Sequence, residues 1–467
     1  MLKQLSHFIK TISQNPFDSC DGPHGARVIS QKHHGIRNEH ISNSAIKVIK
    51  QLHKAGFEAY LVGGGVRDLL LGSKPKDFDV ATSATPEETK AAFRNARIIG
   101  KRFRIVHVRY GREIIEVTTF RDSHEDAGES RDAEQSEHGV LLRDNVYGDI
   151  RTDAERRDFT INALYYNPEN GELLEFTTGL EDLNNRTLRI VGNPDARYKE
   201  DPVRLLRAIR FAAKLGFTIE EATEAPIREH ADYLSHIPPA RLFEEVLKLL
   251  MSGSATATLG LLREYHLLQF LFPSTDYCME NGNDIDRNMI TSATSNTDKR
   301  IRQHKKVTPA FIYAAFLWPA LRASMRHLMG EQKLSAHEAM QSAAQGIVSQ
   351  QLSYTAVPKR FLIPMREIWA LQLRLPRRHG NRAATLLEHP RFRAAYDFVL
   401  LREQSGENVN GLGAWWTRYQ SANESDRQIM SDELNATQNN SPRPKRSRNR
   451  RKKKPADDSS SAGSAAE

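Results

Sequence analysis

LVGGGVRDLLLGSKPKDFDVATSATPEE, residues 61–88, decides how this chain folds. EAYLVGG (58–64) reads as a strand running into glycines, and GVRDLLLG (65–72) as a short helix that stops at Gly72. KDFDVATSA (76–84) reads as a second strand. Thr85-Pro86-Glu87-Glu88 then opens a helix, with Thr as N-cap, Pro at the first helical position and Glu completing a capping box. Further along, RFRIVHVRY (102–110) and EIIEVTTFR (113–121) are two strands meeting at Gly111, a hairpin. The stretch around 122–140 is an acidic loop. Together these elements predict a small mixed sheet with helices, not a repeating βαβ unit.

The chemistry of the segment centres on Asp77-Phe78-Asp79. Side chains alternate faces along a strand, so the two carboxylates share one face and Phe78 takes the other, toward the core. Like charges on one face cost stability unless a cation sits between them, and hard, oxygen-seeking Mg²⁺ uses such a pair when it also holds a substrate phosphate. Gly63, Gly64 and Gly65 follow a strand and open a helix, where backbone N–H groups can approach a phosphate closely. The loop is not a Walker A motif, because no GK[ST] follows, and GxGxxG is also absent. Arg67 either holds phosphate or pairs with a nearby carboxylate to orient the loop.

Outward from this segment the chain divides into zones. Residues 1–40 read as a loose N-terminal arm, 41–180 as the catalytic domain, 181–300 and 301–430 as two helical units, and 431–467 as a disordered, low-complexity tail. The expected fold class is therefore α+β, a sheet-containing domain followed by an all-α body. The chain carries 67 Lys and Arg against 58 Asp and Glu. Nine of the basic residues, among them Arg446, Arg448, Arg450 and Arg451, lie between Arg443 and Lys454 with no acid among them, so the formal excess belongs to one tail. Such a run stays extended and seeks a polyanion, because each neutralised phosphate releases counterions. No stretch approaches the ~20 apolar residues that span a bilayer, so no membrane role is expected. The two cysteines, Cys20 and Cys278, form neither a metal motif nor a disulfide framework and fit a reducing cytoplasm.

Two further motifs lie downstream: Arg156-Arg157-Asp158-Phe159-Thr160-Ile161-Asn162-Ala163 and Glu200-Asp201-Pro202-Val203-Arg204. With residues 61–88, and in that order, they resemble the class II template-independent nucleotidyltransferases, the group of bacterial poly(A) polymerases and tRNA CCA-adding enzymes. The resemblance implies that the first motif recognises ribose and the second selects the incoming base. Arg156 and Arg157 suit triphosphate oxygens, where the guanidinium fork binds bidentately, and Asp158 and Asn162 suit ribose hydroxyls. Asp158 is also the expected third acidic residue, in preference to Glu116, because it sits inside the motif. Glu200, Asp201 and Arg204 complete the nucleotide site, with Asp201 as N-cap and Pro202 at the first position of a helix closing near Gly216. Arg204, Arg207 and Lys214 fall on one face of that helix, and Leu205, Ala208, Ile209 and Ala212 on another.

The reaction implied is attack of an RNA 3′-hydroxyl on the α-phosphorus of ATP, with two Mg²⁺ ions held by Asp77 and Asp79 and with pyrophosphate leaving. Ile98 to Val108 is similar to a segment typical of bacterial poly(A) polymerases, and its Lys101, Arg102 and Arg104 are candidate RNA contacts. Pro358 to Leu401, rich in arginine, also resembles that group, and Trp369 within it reads as a core residue. No His-Asp dipeptide occurs, against the phosphohydrolase domain that some CCA-adding enzymes carry. Poly(A) addition is the expected activity and CCA addition the alternative. A pseudoenzyme would have lost the acids or glycines, and a DNA polymerase would reject ribose. The resemblance implies a role in marking RNA for decay, with RNA-decay proteins as partners, and a monomer is expected.

Overall fold

The structure is a computed structural model that describes residues 22–100, 104–122, 133–135, 141–144 and 146–439, with side chains for all but 133–135, 141–144 and 435–439. Its strands are β1 (Arg27–Ile29), β2 (Ala59–Val62), β3 (Asp79–Thr82), β4 (Ala96–Ile99), β5 (Ile105–Tyr110), β6 (Glu113–Thr119), β7 (Ala133–Gln135), β8 (Leu141–Asp144), β9 (Leu164–Asn167) and β10 (Glu172–Glu175), with a short parallel pair, β11 (Thr187–Leu188) and β12 (Thr218–Ile219), further on. Eight of them form one sheet in the order β1-β10-β9-β2-β3-β6-β5-β4, and β7 pairs with β8 separately. Every neighbouring pair in the large sheet is antiparallel except β3 with β6. A parallel pair needs a crossover, and here the helix Pro86–Ala92 together with β4 and β5 supplies it.

The two faces of the sheet differ in chemistry. Val80, Val117 and Val106 are register neighbours on β3, β6 and β5. All three are buried in one cluster with Ala45, Val48, Ile49 and Leu52 of the helix Asn43–Lys54. One residue earlier on β3 and β6 the side chains point the other way. That opposite face carries the smaller cluster of Tyr60, Val62, Ala81, Phe120, Tyr165 and Leu174, and beside it the polar row described below.

Two boundaries differ from the sequence expectation. The N-terminal arm is not loose from residue 22 onward: β1 pairs with β10, Arg27 reaches Glu175 at 3.2 Å, and the ring of His34 bonds the Gly171 carbonyl at 2.9 Å. A three-residue edge strand is too short to show a period in sequence. At the other end, the helix Glu424–Asn439 runs into the segment expected to be disordered from residue 431. Met430 and Leu434 pack there against the cluster of Trp415, Trp416 and Tyr419.

Beyond the large sheet the described chain is helical apart from one two-stranded parallel pair, and the main core continues unbroken into it. The helix Pro309–Glu331 is buried along most of its first half, and Trp369 is a core residue whose indole N–H donates to the Ala314 carbonyl at 3.0 Å. Among the described residues, no helix is long and apolar enough to cross a membrane.

Candidate active site

Val62 ends β2, and Gly63 then adopts φ +71° and ψ −137°, a backbone state that a side chain strongly disfavours. The turn lets the helix Gly64–Leu70 begin at once. At Gly65 an added Cβ would sit 3.4 Å from the Asp77 carbonyl oxygen, so the start of this helix lies directly on the chain that carries the acids. Gly64 lies over the Arg67 guanidinium, 3.5 Å from where its Cβ would be.

Asp77 is exposed, Phe78 buried and Asp79 half-buried, the alternation of a chain entering a strand. Asp77 itself precedes β3, which begins at Asp79. Asp79 is the register partner of Val62 on one side and of Glu116 on the other, and Glu116 pairs in turn with His107 of β5. Burial pushes the Asp79 carboxyl up to about 6, and the negative charges of Glu116 and Asp77 add to this while Arg157 opposes it. The acid that faces Asp79 is thus Glu116. The expected third acidic residue, Asp158, is engaged elsewhere: Arg207 Nε donates to its Oδ2 at 2.7 Å, with a second donation from Nη2. The Phe159 N–H and the Asn162 amide donate to its Oδ1 at 2.8 and 3.1 Å. Strand register brings Glu116 beside Asp79, a proximity that spacing along the chain does not report.

Arg67 is 3% exposed and makes the carboxylate pairing that one of its two readings expects. Its Nε and Nη2 donate to Asp68 Oδ1 at 2.9 and 2.6 Å, and its Nη1 donates to Asn162 Oδ1 at 2.8 Å. A continuous polar chain therefore runs Asp68–Arg67–Asn162–Asp158–Arg207, tying the glycine loop to the 156–163 motif and to the helix Val203–Leu215. Phe211 underlies it, with the guanidinium groups of Arg67, Arg207 and Arg210 at 5.2, 5.5 and 4.4 Å from its ring centre.

Arg157 is held by Asp153 Oδ2 at 2.9 Å and by the Tyr165 hydroxyl at 2.9 Å. Its Nη1 lies 3.6 Å from where a Cβ on Gly63 would be, so this guanidinium borders the loop. The backbone carbonyls of Arg156 and Arg157 both accept from Arg197 Nη2. In the next motif, Glu200 Oε2 accepts from Arg197 and Arg204 at 2.6 and 2.7 Å, and its carboxyl is held below the usual range against the opposing effect of burial. Asp201 Oδ2 accepts from Arg241 Nη2 at 2.7 Å. The helix begins at Val203 with Pro202 as its N-cap, and Gly216 closes it in the left-handed region at φ +67°.

Arg104 pairs with Glu87. The candidate RNA contacts Lys101 and Arg102, and Arg446, Arg448, Arg450 and Arg451 in the tail, lie outside the described residues. His107, Asp153, Tyr165 and Arg241 are the neighbours of the site that sequence reasoning did not name, and strand register and tertiary pairing reveal them; Glu116, weighed against Asp158 in the sequence, lies beside Asp79.

Among the described residues, no group of three or more His, Cys, Asp or Glu forms a ready metal cage. The donor set still fits Mg²⁺, which binds through one or two carboxylates and completes its shell with water and substrate phosphate. Burial first, and then the negative charges of Glu116 and Asp77, raise the Asp79 carboxyl, and a bound cation would offset both effects.

Residues 59–189 match the family described as the poly A polymerase head domain, and residues 216–279 the one described as the probable RNA and SrmB-binding site of polymerase A. Residues 332–453 match the polymerase A arginine-rich C-terminus. The chain is 47% identical over 427 residues to a protein named Poly(A) polymerase I from Salmonella typhimurium, covering 91% of each chain. It is likewise 47% identical over 427 residues to Poly(A) polymerase I of Escherichia coli O157:H7, covering 91% of this chain and 92% of that one. Among solved structures, the apo form II of a CCA-adding enzyme superposes with a TM-score of 0.58 at 20% identity, over 87% of this chain and 93% of that one, a likeness of fold.

Proposed function

The chain belongs to the poly(A) polymerase family, and from that premise we propose that it transfers AMP from ATP to the 3′-hydroxyl of RNA without a template, releasing pyrophosphate. The observation that carries the reading is the convergence of Asp77, Asp79 and Glu116 beside the Gly63 turn, on a chain that shares 47% of its residues with Poly(A) polymerase I over nearly its whole length.

Asp77 and Asp79, with Glu116, are the residues that would hold two Mg²⁺ ions, whose charge when bound acidifies the attacking hydroxyl and offsets charge on the phosphoryl oxygens. The remaining work is positioning by the protein. Arg157, braced by Asp153 and Tyr165, faces the glycine loop where the triphosphate would lie, and Gly63 and Gly64 leave room for it. Arg156 reinforces the positive charge of that wall. Asp158 and Asn162 would meet the ribose hydroxyls, and the Arg67 and Arg207 bonds fix both in orientation. Asp201 and Arg204, steadied by Arg241 and Glu200, supply an acceptor and a donor for the base. The basic tail and the arginine-rich helices would grip RNA through phosphates, a contact that needs no sequence. The reducing cytoplasm suits a chain with two cysteines.

The test is to incubate the protein with Mg²⁺, a short unstructured RNA and each nucleoside triphosphate separately, then size the products. Long ladders with ATP alone, abolished by Asp77→Ala or Asp79→Ala, are expected. Addition limited to two C and one A on tRNA-like ends would instead make it a CCA-adding enzyme.

A further inference from the structure

The stretch Ile98 to Val108 has no task in the reaction as described, yet it delivers one side chain to the acidic row. His107 is the register partner of Glu116, and its Nε2 lies 3.2 Å from Glu116 Oε1. Asp79, Glu116 and His107 therefore stand side by side on three adjacent strands, with Arg97 of β4 next beyond His107. Glu116 is half exposed, its side chain 50% accessible against 27% for His107. A long carboxylate side chain in that situation samples many rotamers, and only some of them face Asp79. The imidazole has two side-chain torsions and stands on a stiff base, because Val106 and Val108 on either side of it are buried in the core.

We propose that His107 is a positioning residue, which donates a hydrogen bond to Glu116 Oε1 and thereby holds the carboxylate's other oxygen for the cation shared with Asp79. His107 touches neither substrate nor metal in this arrangement; it acts through Glu116. The inference rests on the assignment of Asp77, Asp79 and Glu116 as the metal-holding acids.

The test is Mn²⁺ binding to the full chain followed by electron paramagnetic resonance without nucleotide, alongside kcat and KM for ATP and RNA. His107→Ala is expected to weaken Mn²⁺ binding and lower kcat by about tenfold each, the lower end of what partners of metal ligands contribute, with both KM values changed less than about twofold. His107→Gln, which keeps an N–H donor on the same strand, should recover most of the loss. In a Glu116→Gln background, His107→Ala should add nothing. Undiminished Mn²⁺ affinity in His107→Ala, or a full additive loss in the double variant, overturns the inference while leaving the acid assignment standing. Should Glu116→Gln by itself leave Mn²⁺ affinity and kcat unchanged, the acid assignment falls and the role of His107 with it.

Discussion

Asp79 and Glu116 are register partners across the one parallel strand pair of the large sheet, and the second carboxylate makes the first harder to ionise. Burial above all, with Glu116 adding to it, raises the Asp79 carboxyl from 3.8 to about 6, so ionisation opposes folding. The stabilising contribution is complete below the unfolded value and is lost as pH rises through 6. Asp79→Asn should therefore match the parent in stability near pH 4 and exceed it at pH 8, by up to about 2 kcal/mol after solvent screening. Activity should fall at least a hundredfold. Urea unfolding at the two pH values, with and without Mg²⁺, reads this directly. Mg²⁺ should stabilise the parent at pH 8 and leave the variant unmoved; a variant less stable at pH 8 would mean that Asp79 bears no such strain.

Asp158 behaves in the opposite sense. Burial would raise its carboxyl, but Arg207, Asn162 and the Phe159 N–H together hold it down at about 2. Its contribution is present above about 3.8 and disappears as pH falls through 2. Asp158→Asn strips Arg207 of its partner and should destabilise the fold by about 2–3 kcal/mol at pH 7, with the gap to the parent closing in acid. Thermal or urea unfolding between pH 2 and 7 checks the sign. A gap that persists unchanged at pH 2 would assign the loss to packing.

The contrast between these two acids marks what the sequence could and could not reveal. Local grammar was readable: the Gly63 turn, the Thr85 capping box, the Gly111 hairpin and the alternation that separates Phe78 from its flanking acids all depend on residues a few positions apart. Glu116 is 37 residues from Asp79 along the chain, and only the sheet order brings them together. The same limit hid Asp153 beneath Arg157 and Arg241 behind Asp201. It also hid β1, whose three residues belong to the sheet only through their pairing with β10. For Arg67 the sequence offered two roles, and it could not show that the carboxylate beside it is Asp68 or that Asn162 joins the pair.

Gly63 is the loop position least able to accept a side chain, given φ +71° and ψ −137° and the Arg157 guanidinium 3.6 Å from its missing Cβ. Gly63→Ala should cost about 1–3 kcal/mol of strain. Relieving that strain shifts the loop against the acids, and kcat/KM for ATP should fall about a hundredfold, since small displacements at a reacting centre are expensive. Steady-state kinetics with saturating RNA measures it. Unchanged kcat/KM would remove the loop from the nucleotide site.

Arg241 bonds Asp201 at 2.7 Å from outside the motif, so the orientation of a base-reading carboxylate depends on a helix of the body. Arg241→Ala should lower the preference for ATP over CTP, expressed as the ratio of kcat/KM values, by about tenfold, the worth of one charge-assisted hydrogen bond. Affinity for RNA should stay within about twofold. If both nucleotides lose equally, Arg241 supports the fold of the site without shaping its choice.

The nine basic residues between Arg443 and Lys454 make the salt dependence of RNA binding a direct gauge of the tail. Each single-strand phosphate neutralised contributes about −0.7 to the slope of log K against log salt. Full engagement of nine charges would account for a slope of about −6, and partial engagement for proportionately less. Deleting residues 441–467 should therefore weaken RNA binding most at low salt and flatten the slope, while the ratio of ATP to CTP use stays as it was, because phosphate contacts carry no information about the base. Fluorescence anisotropy of a labelled oligonucleotide across a salt series separates the cases. A slope that survives the deletion would place the RNA grip on the folded arginine-rich helices of residues 358–401 and leave the tail without that role.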